Sequence, residues 1–134
     1  MEELLKKTGY SNKAILYFKN KKNVGMIEKP TVMATYTGKC GDTMKFYLKI
    51  NSTKVITDAK FEAVGCAGAF TAGSALMEIL KNVSVSDAKK ICEYDIFKHL
   101  EKVPDKKLDC IYLAIKTLDK TLSKYNNIKR AKWL

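Results

Sequence analysis

The chain between residues 43 and 50 reads Thr43-Met44-Lys45-Phe46-Tyr47-Leu48-Lys49-Ile50. Apolar side chains occupy the even positions from 44 to 50, and lysine or tyrosine occupies the odd positions between them. This period of two predicts a strand with one buried face. After a turn at residues 51–54 the alternation returns between Val55 and Ala63, which predicts an antiparallel hairpin. Residues 33–37 add a third predicted strand.

Helical patterns flank the predicted hairpin. Residues 67–80 lose the alternation and combine helix formers with small residues, which predicts a helix in tight contact with a neighbour. Shorter helices are predicted over residues 10–19 with Ser11 as cap, after Ser84 with Asp87 as its capping partner, and from Asp95 through Leu100. The last helix has one apolar stripe with spacings of three and four, formed by Leu108, Ile111, Ile115, Leu118, Leu122 and Tyr125.

Length and charge bound the class of protein. The 134 residues fit one domain, residues 1–134, with a core of its own. Lysine and arginine exceed acidic residues by 25 to 14, a net charge of +11 that favours acidic partners. The lysines are scattered, with no arginine-rich run or aromatic RNA-binding motif, so a basic RNA-binding module is a remote alternative. No apolar run approaches the ~20 residues of a membrane span, and no secretory signal is recognised. We expect a cytoplasmic protein with reduced thiols.

Three of the four cysteines lie where the pattern predicts a turn or a helix start. Cys40 comes two residues before Asp42, Cys66 lies where a strand gives way to a helix, and Cys110 lies at the head of the last helix. Helix N-termini favour thiolate over thiol, and thiolates bind soft metals. Cys110 is about 200° from Leu108 around the helix, which places it off the main apolar stripe. We therefore expect a metal or cluster site assembled by folding, against the alternative that each cysteine is a small buried hydrophobe.

Cys92 and His99 are predicted to lie outside this site. Cys92 has no neighbouring glycine and is interpreted as a packing residue. His99 lies in a short predicted helix and is interpreted as a surface or packing residue.

The cysteine segments resemble those of the IscU/NifU-type iron-sulfur cluster assembly scaffolds, which include the NifU N-terminal-like domain. The likeness rests on the triplet Cys40-Gly41-Asp42, on Gly65-Cys66 at the strand-to-helix junction and on an acidic residue before the last cysteine. It extends to Tyr10-Ser11, Asn20–Gly25, Asp42–Lys45 and Cys110–Ala114.

The resemblance implies a scaffold or carrier protein and no enzyme. Cys40, Cys66 and Cys110, with one further residue, would hold a nascent 2Fe-2S cluster. Its iron would be joined by sulfur from a cysteine desulfurase, and the cluster would pass to apo iron-sulfur acceptor proteins. A homo-oligomer with cluster bound is a further possibility.

Two segments depart from the family pattern. Asp109 stands where the family usually has histidine, and residues 103–107, Val-Pro-Asp-Lys-Lys, stand where bacterial members dock an Hsp70-type chaperone. That docking motif is poorly matched here. The chain also lacks the long insertion between Cys66 and Cys110 that marks the zinc-dependent sulfur-transfer branch.

We predict Asp42 rather than Asp109 as the oxygen ligand. Asp42 follows Cys40 across a glycine, whereas Asp109 and Cys110 are helix neighbours that point about 100° apart. The same three thiolates and one carboxylate also suit tetrahedral zinc, so a zinc-binding sulfur-transfer partner stays open as an alternative. The expected fold is α+β and SufE/NifU-like. It is a small, mostly antiparallel three-stranded sheet with helices packed on one face and the cysteines at one end.

Overall fold

The computed structural model describes residues 9–39, 41–101, 103 and 108–133. The elements run in the order α1 Asn12–Lys19, β1 Val32–Thr37, β2 Thr43–Ile50, β3 Ile56–Val64, α2 Ala67–Leu80, α3 Val85–Ala88, α4 Glu93–Leu100 and α5 Leu108–Trp133. The strands form one antiparallel sheet in the order β1-β2-β3. The predicted α+β fold is therefore confirmed.

Helices α2 and α5 cover the sheet. Helix α5 lies against β1 and β2, and α2 lies against β3 and α5. Met44, Phe46 and Leu48 are fully buried in the cluster that these elements share, as the alternation of β2 predicts. A Cβ atom at Gly73 of α2 would lie 2.5 Å from the ring of Phe61 on β3, so glycine permits this close approach. Small residues in α2 thus serve tight contact with the sheet.

Two residues of the hairpin depart from the simple alternation. The pairing shifts register between Lys49 and Ile50, so that β3 begins at Ile56 and Val55 lies outside the strand. Tyr47, predicted to face outward, is only 1% exposed. The ammonium of Lys45 lies 5.3 Å from the Tyr47 ring centroid, and the Tyr47 hydroxyl donates to Glu62. Long charged side chains therefore bury an aromatic ring on the outer face of the sheet.

The buried surface of α5 differs from the single apolar stripe that the sequence predicted. Leu108, predicted to be buried, is 46% exposed, and Cys110, predicted to lie off the apolar stripe, is 5% exposed. Because α5 contacts β1, β2, α2 and α4, it is buried over more than one face. Within the described residues, no helix is both long and apolar enough to cross a membrane.

The helix caps follow the sequence at Ser11 and Ser84, whereas α4 begins at Glu93, two residues before the predicted start at Asp95. Ser11 Oγ accepts from Ala14 N at 3.0 Å, and Ser84 Oγ accepts from Asp87 N at 3.0 Å. Asp95 accepts from the backbone N–H of Cys92 at 2.9 Å, so Asp95 caps α4 from its first turn and Cys92 is the N-cap residue. Cys92 is exposed, and its predicted packing role was wrong.

The outer edge of β1 is covered by lysine side chains from α5. Lys120 Nζ donates to the carbonyl oxygen of Thr35 at 2.6 Å, and Lys124 Nζ donates to that of Met33 at 2.9 Å. These carbonyl groups face away from β2 and would otherwise be open to strand pairing.

The outer edge of β3 is covered by the loop that follows α1. Gly25 N donates to Phe61 O at 2.9 Å, and Phe61 N donates to Asn23 O at 3.1 Å. Asn23 has a φ of +64°, and its side-chain amide donates to the carbonyl oxygen of Ser74 and to the carboxylate of Glu78, both at 3.1 Å. The loop is thereby fixed to α2 while it pairs with the strand.

Candidate metal centre

Three predicted ligand residues meet at one end of the sheet. Asp42 directly precedes β2, Cys66 is the N-cap residue of α2, and Cys110 lies in the first turn of α5. Cys66 Sγ lies 3.6 Å from Cys110 Sγ and 3.7 Å from Asp42 Oδ2. One ligand atom from each of the three residues lies within 4.8 Å of the other two. Asp42 lies 24 positions before Cys66 in the sequence, and Cys110 lies 44 positions after it. The fold nevertheless brings their two sulfur atoms and one oxygen atom to a common point.

A tight turn carries Asp42 into this position. The backbone N–H of Gly38 donates to Asp42 O at 2.9 Å, and Gly41 N donates to Gly38 O at 3.0 Å. Gly41 has a φ of +90°, which disfavours any residue with a side chain. The hydroxyl groups of Thr37 and Thr43 lie 2.9 Å apart and close the turn at its base. The ends of β1 and β2 therefore fix where the carboxylate lies.

Gly65 leaves room for the Asp42 carboxylate. A Cβ atom built on Gly65 would lie 2.6 Å from Asp42 Cγ and 2.7 Å and 3.0 Å from its two oxygen atoms. Any side chain at position 65 would collide with the carboxylate. The glycine before Cys66 thus leaves space for the Asp42 carboxylate, and no unusual backbone angle calls for glycine there.

Both cysteines of the site lie at the N-terminal ends of helices. Cys66 O accepts from Ala69 N at 3.0 Å, as expected of an N-cap residue, and its side chain makes no capping hydrogen bond. The Cys66 sulfur is half-buried, whereas Cys110 is 5% exposed.

The other predicted residues lie elsewhere or outside the described chain. Cys40 falls outside the described residues. Asp109 is exposed and lines a cavity of about 390 Å³ with Tyr36 and Lys39. His99 lies on α4, where its Nε2 atom is 2.9 Å from the hydroxyl of Tyr17. As predicted, His99 is a packing residue away from the cysteines.

Tyr10 is a neighbour of the site that the sequence patterns did not single out as functional. It is 7% exposed and belongs to the same buried cluster as Cys110. Burial raises the pKa of Tyr10, and the negative charges of Cys66 and Cys110 raise it further. The sequence offered one indication of a role for Tyr10, which is that the Tyr10-Ser11 segment resembles the family. Helical spacing alone predicted only a packing residue.

Comparison with known proteins gives the same family as the cysteine segments. Residues 9–132 match the model of the NifU-like N terminal domain. The chain is 35% identical to the iron-sulfur cluster assembly scaffold protein IscU of Rickettsia prowazekii, over 92% of this chain and 96% of that protein. It is 33% identical to the protein of the same name from Escherichia coli K12, over 92% of this chain and 98% of that protein.

A solved structure supports the fold independently. The N-terminal part of a nitrogen-fixing NifU-like protein from Brucella abortus superposes with a TM-score of 0.67 at 20% sequence identity. The match covers 87% of this chain and 94% of that structure. Since the family model spans almost the whole chain and two relatives exceed 30% identity over nearly their full lengths, this chain belongs to the NifU-like N terminal domain family.

Proposed function

We propose that this protein is a scaffold on which a labile 2Fe-2S cluster is assembled and from which the cluster passes to apo-proteins. The observation that carries the proposal is the convergence of Asp42, Cys66 and Cys110, whose ligand atoms lie within 4.8 Å of one another. The relatives from R. prowazekii and E. coli carry the name of such scaffolds. The cluster is cargo, and no reaction of an enzyme is assigned to the protein.

The donor set fits this cargo. Thiolates are the usual ligands of iron-sulfur clusters. Cys66 and Cys110 supply two, and we propose Cys40, two residues before Asp42 in the chain, as the third. Their sulfur atoms would also accept the incoming sulfur. With Asp42 as the fourth ligand, each iron of a 2Fe-2S cluster would receive two protein ligands.

Asp42 would make the weakest bond to the cluster. A hard carboxylate oxygen is a poorer match than thiolate in an otherwise sulfur-rich set. Asp42 is also half-buried and so partly open to solvent, whereas Cys110 is buried in the core. A ligand that leaves readily suits a protein that must release what it binds.

A scaffold works with a sulfur donor and with acceptor proteins. We propose a cysteine desulfurase as the donor and apo iron-sulfur proteins as the acceptors. Exposed apolar side chains beside the site support contact with proteins: Tyr94, Leu108 and Tyr112 are 60%, 46% and 51% exposed and line a cavity of about 460 Å³. Binding of cluster could also bring two copies together, which size-exclusion chromatography before and after loading would measure.

Recognition by an Hsp70-type chaperone has weaker support. Of residues 103–107, which occupy the place of the docking motif, the structure describes Val103 alone, and Val103 is 6% exposed.

Thiolate ligands need a reducing compartment. We accordingly propose that residues 1–134 work as one cytoplasmic domain.

The test is reconstitution under anaerobic conditions with ferric iron and sulfide. We expect visible charge-transfer absorption together with iron and sulfide in equal amounts. Cys40→Ser, Cys66→Ser and Cys110→Ser should each abolish the absorption or weaken it strongly. Cys92→Ser is the matched control, because Cys92 is an exposed N-cap residue on α4.

Metal and sulfide analysis of the protein purified under anaerobic conditions separates the alternatives. Zinc without sulfide would favour the zinc-binding sulfur-transfer partner, which the same four residues could serve. Neither metal nor sulfide, combined with RNA binding, would favour the basic module. A loss in Cys92→Ser equal to that in the other three variants would mean that the proposed ligands are wrong.

A further inference from the structure

Tyr10 is anchored by its neighbour in sequence. Ser11 Oγ accepts from Ala14 N and donates to the carbonyl oxygen of Leu100 at the end of α4. Two helices therefore fix the backbone next to Tyr10. The tyrosine itself enters the buried cluster that contains Cys110 and against which Cys66 packs.

The Tyr10 hydroxyl is a buried polar group without a hydrogen-bond partner among the described residues. Buried hydroxyl groups in native proteins are nearly always paired, so an unpaired one calls for an explanation, such as an ion or a bound group. The cysteines are the candidate partners, because Tyr10 lies in the buried cluster that contains Cys110 and against which Cys66 packs, and their charges raise the pKa of Tyr10. The orphaned hydroxyl and the two sulfur atoms thus belong to one environment.

We propose that Tyr10 is a positioning residue of the metal centre, whose hydroxyl donates a hydrogen bond to a sulfur atom when the site is loaded. The inference rests on the proposed function and adds a residue to it. Thiols are weak acceptors, whereas thiolates and cluster sulfides carry the negative charge that a phenol O–H group seeks. Loading would supply the partner that the hydroxyl lacks.

Such a bond has measurable consequences. Hydrogen bonds to sulfur set the reduction potential of iron-sulfur clusters, because they stabilise the more electron-rich state. Groups that hydrogen-bond to metal ligands also contribute to metal affinity. Their removal typically lowers that affinity on the order of tenfold or more. Tyr10→Phe removes the oxygen alone and keeps the buried ring.

The chain offers a matched control in Tyr125. Tyr125 is 2% exposed, and its hydroxyl also lacks a partner among the described residues. It lies fifteen residues beyond Cys110 on α5, about 22 Å along the helix. Tyr125→Phe therefore makes the same chemical change in the same core, far from the sulfur atoms.

The experiment compares wild type, Tyr10→Phe and Tyr125→Phe by cobalt(II) titration of the unloaded protein and by potentiometry of the reconstituted cluster. Both variants should melt at or slightly above the wild-type temperature. Tyr10→Phe should bind cobalt on the order of tenfold more weakly and have a lower reduction potential, while Tyr125→Phe matches wild type. Should Tyr10→Phe fold poorly, 3-fluorotyrosine at position 10 provides a more acidic donor and should raise the potential.

The outcomes distinguish the two proposals. Wild-type protein that takes up neither cobalt nor cluster would overturn the scaffold function itself. If wild type loads normally but Tyr10→Phe shows unchanged cobalt affinity and potential, the hydrogen bond from Tyr10 is refuted. Equal losses in Tyr10→Phe and Tyr125→Phe would also refute it, because the effect would then be general to the core.

Discussion

Substituting Gly65 by alanine should disable the metal centre without unfolding the protein. The added Cβ atom would lie 2.6 Å from Asp42 Cγ, whereas ordinary contact begins at 3.4 Å, so the carboxylate must retreat by at least about 0.8 Å. The end of a flexible side chain can move at little cost, and the fold should survive. The oxygen now 3.7 Å from Cys66 Sγ would turn away from the sulfur atoms.

The expected loss appears in metal affinity. Because Asp42 would no longer reach a shared ion, Gly65→Ala should bind cobalt(II) at least about tenfold more weakly, a loss typical of disturbed metal sites. Cobalt–thiolate absorption measures the affinity, and thermal unfolding in the same buffer measures stability. We expect the melting temperature of the metal-free protein to stay within about 3 °C of wild type, equivalent to about 1 kcal/mol for a domain of this size.

Gly73→Ala is the complementary control. Its Cβ atom would lie 2.5 Å from the ring of Phe61, a side chain that is fully buried and cannot retreat. Overpacking of this kind costs about 1–3 kcal/mol, and the gain of about 1 kcal/mol from replacing a helical glycine offsets only part of it. Gly73→Ala should therefore lower stability and retain metal affinity.

Wild-type cobalt affinity in Gly65→Ala would refute the argument that Gly65 makes room for a ligand.

Three further predictions concern the fourth ligand, the histidine and the basic surface. Asp42→Ala should shift the cluster spectrum and change the rate of transfer to an apo-ferredoxin more than Asp109→Ala does; the opposite ranking would make Asp109 the fourth ligand. Burial lowers the pKa of His99, so the unfolded chain takes up this proton first, and stability should fall as pH drops below about 6.5. His99→Gln should reduce that fall in denaturant titrations at pH 5 and pH 7, and an unchanged pH profile would exclude His99 as its source. RNA binding should be weak and should fade steeply between low and physiological salt, whereas sequence-selective binding at physiological salt would favour the RNA-binding module.

Local periodicity was sufficient for the sheet and the helices. The alternation over residues 43–50 predicted the buried face of β2, and Ser11 and Ser84 predicted two helix starts. The departures arose from contacts between distant segments. The register shift after Lys49 depends on the pairing partner, and the burial of Tyr47 depends on lysine and glutamate side chains that periodicity does not place.

Three of the four predicted ligand residues lie together in the structure, but the sequence could not predict their geometry. Predicted helix starts indicated Cys66 and Cys110, glycines at 65 and 68 supported Cys66, and reach along the chain favoured Asp42. No local pattern could show that their ligand atoms lie within 4.8 Å, because three separate elements create that distance. The burial of Cys110 was missed for the same reason, since a stripe drawn from one helix omits the faces that its neighbours cover.

The covered edges of the sheet affect the residence time of a bound partner protein. Strand addition to an open edge forms a row of main-chain hydrogen bonds and can hold a partner firmly. Here Lys120 and Lys124 occupy carbonyl groups of β1, and the loop around Asn23 occupies β3. Strand addition is disfavoured where these groups are occupied, so a partner protein would bind mainly through side-chain contacts, and dissociation rates vary widely among such interfaces. Short residence times would let a sulfur donor leave before an acceptor arrives at the same end of the molecule.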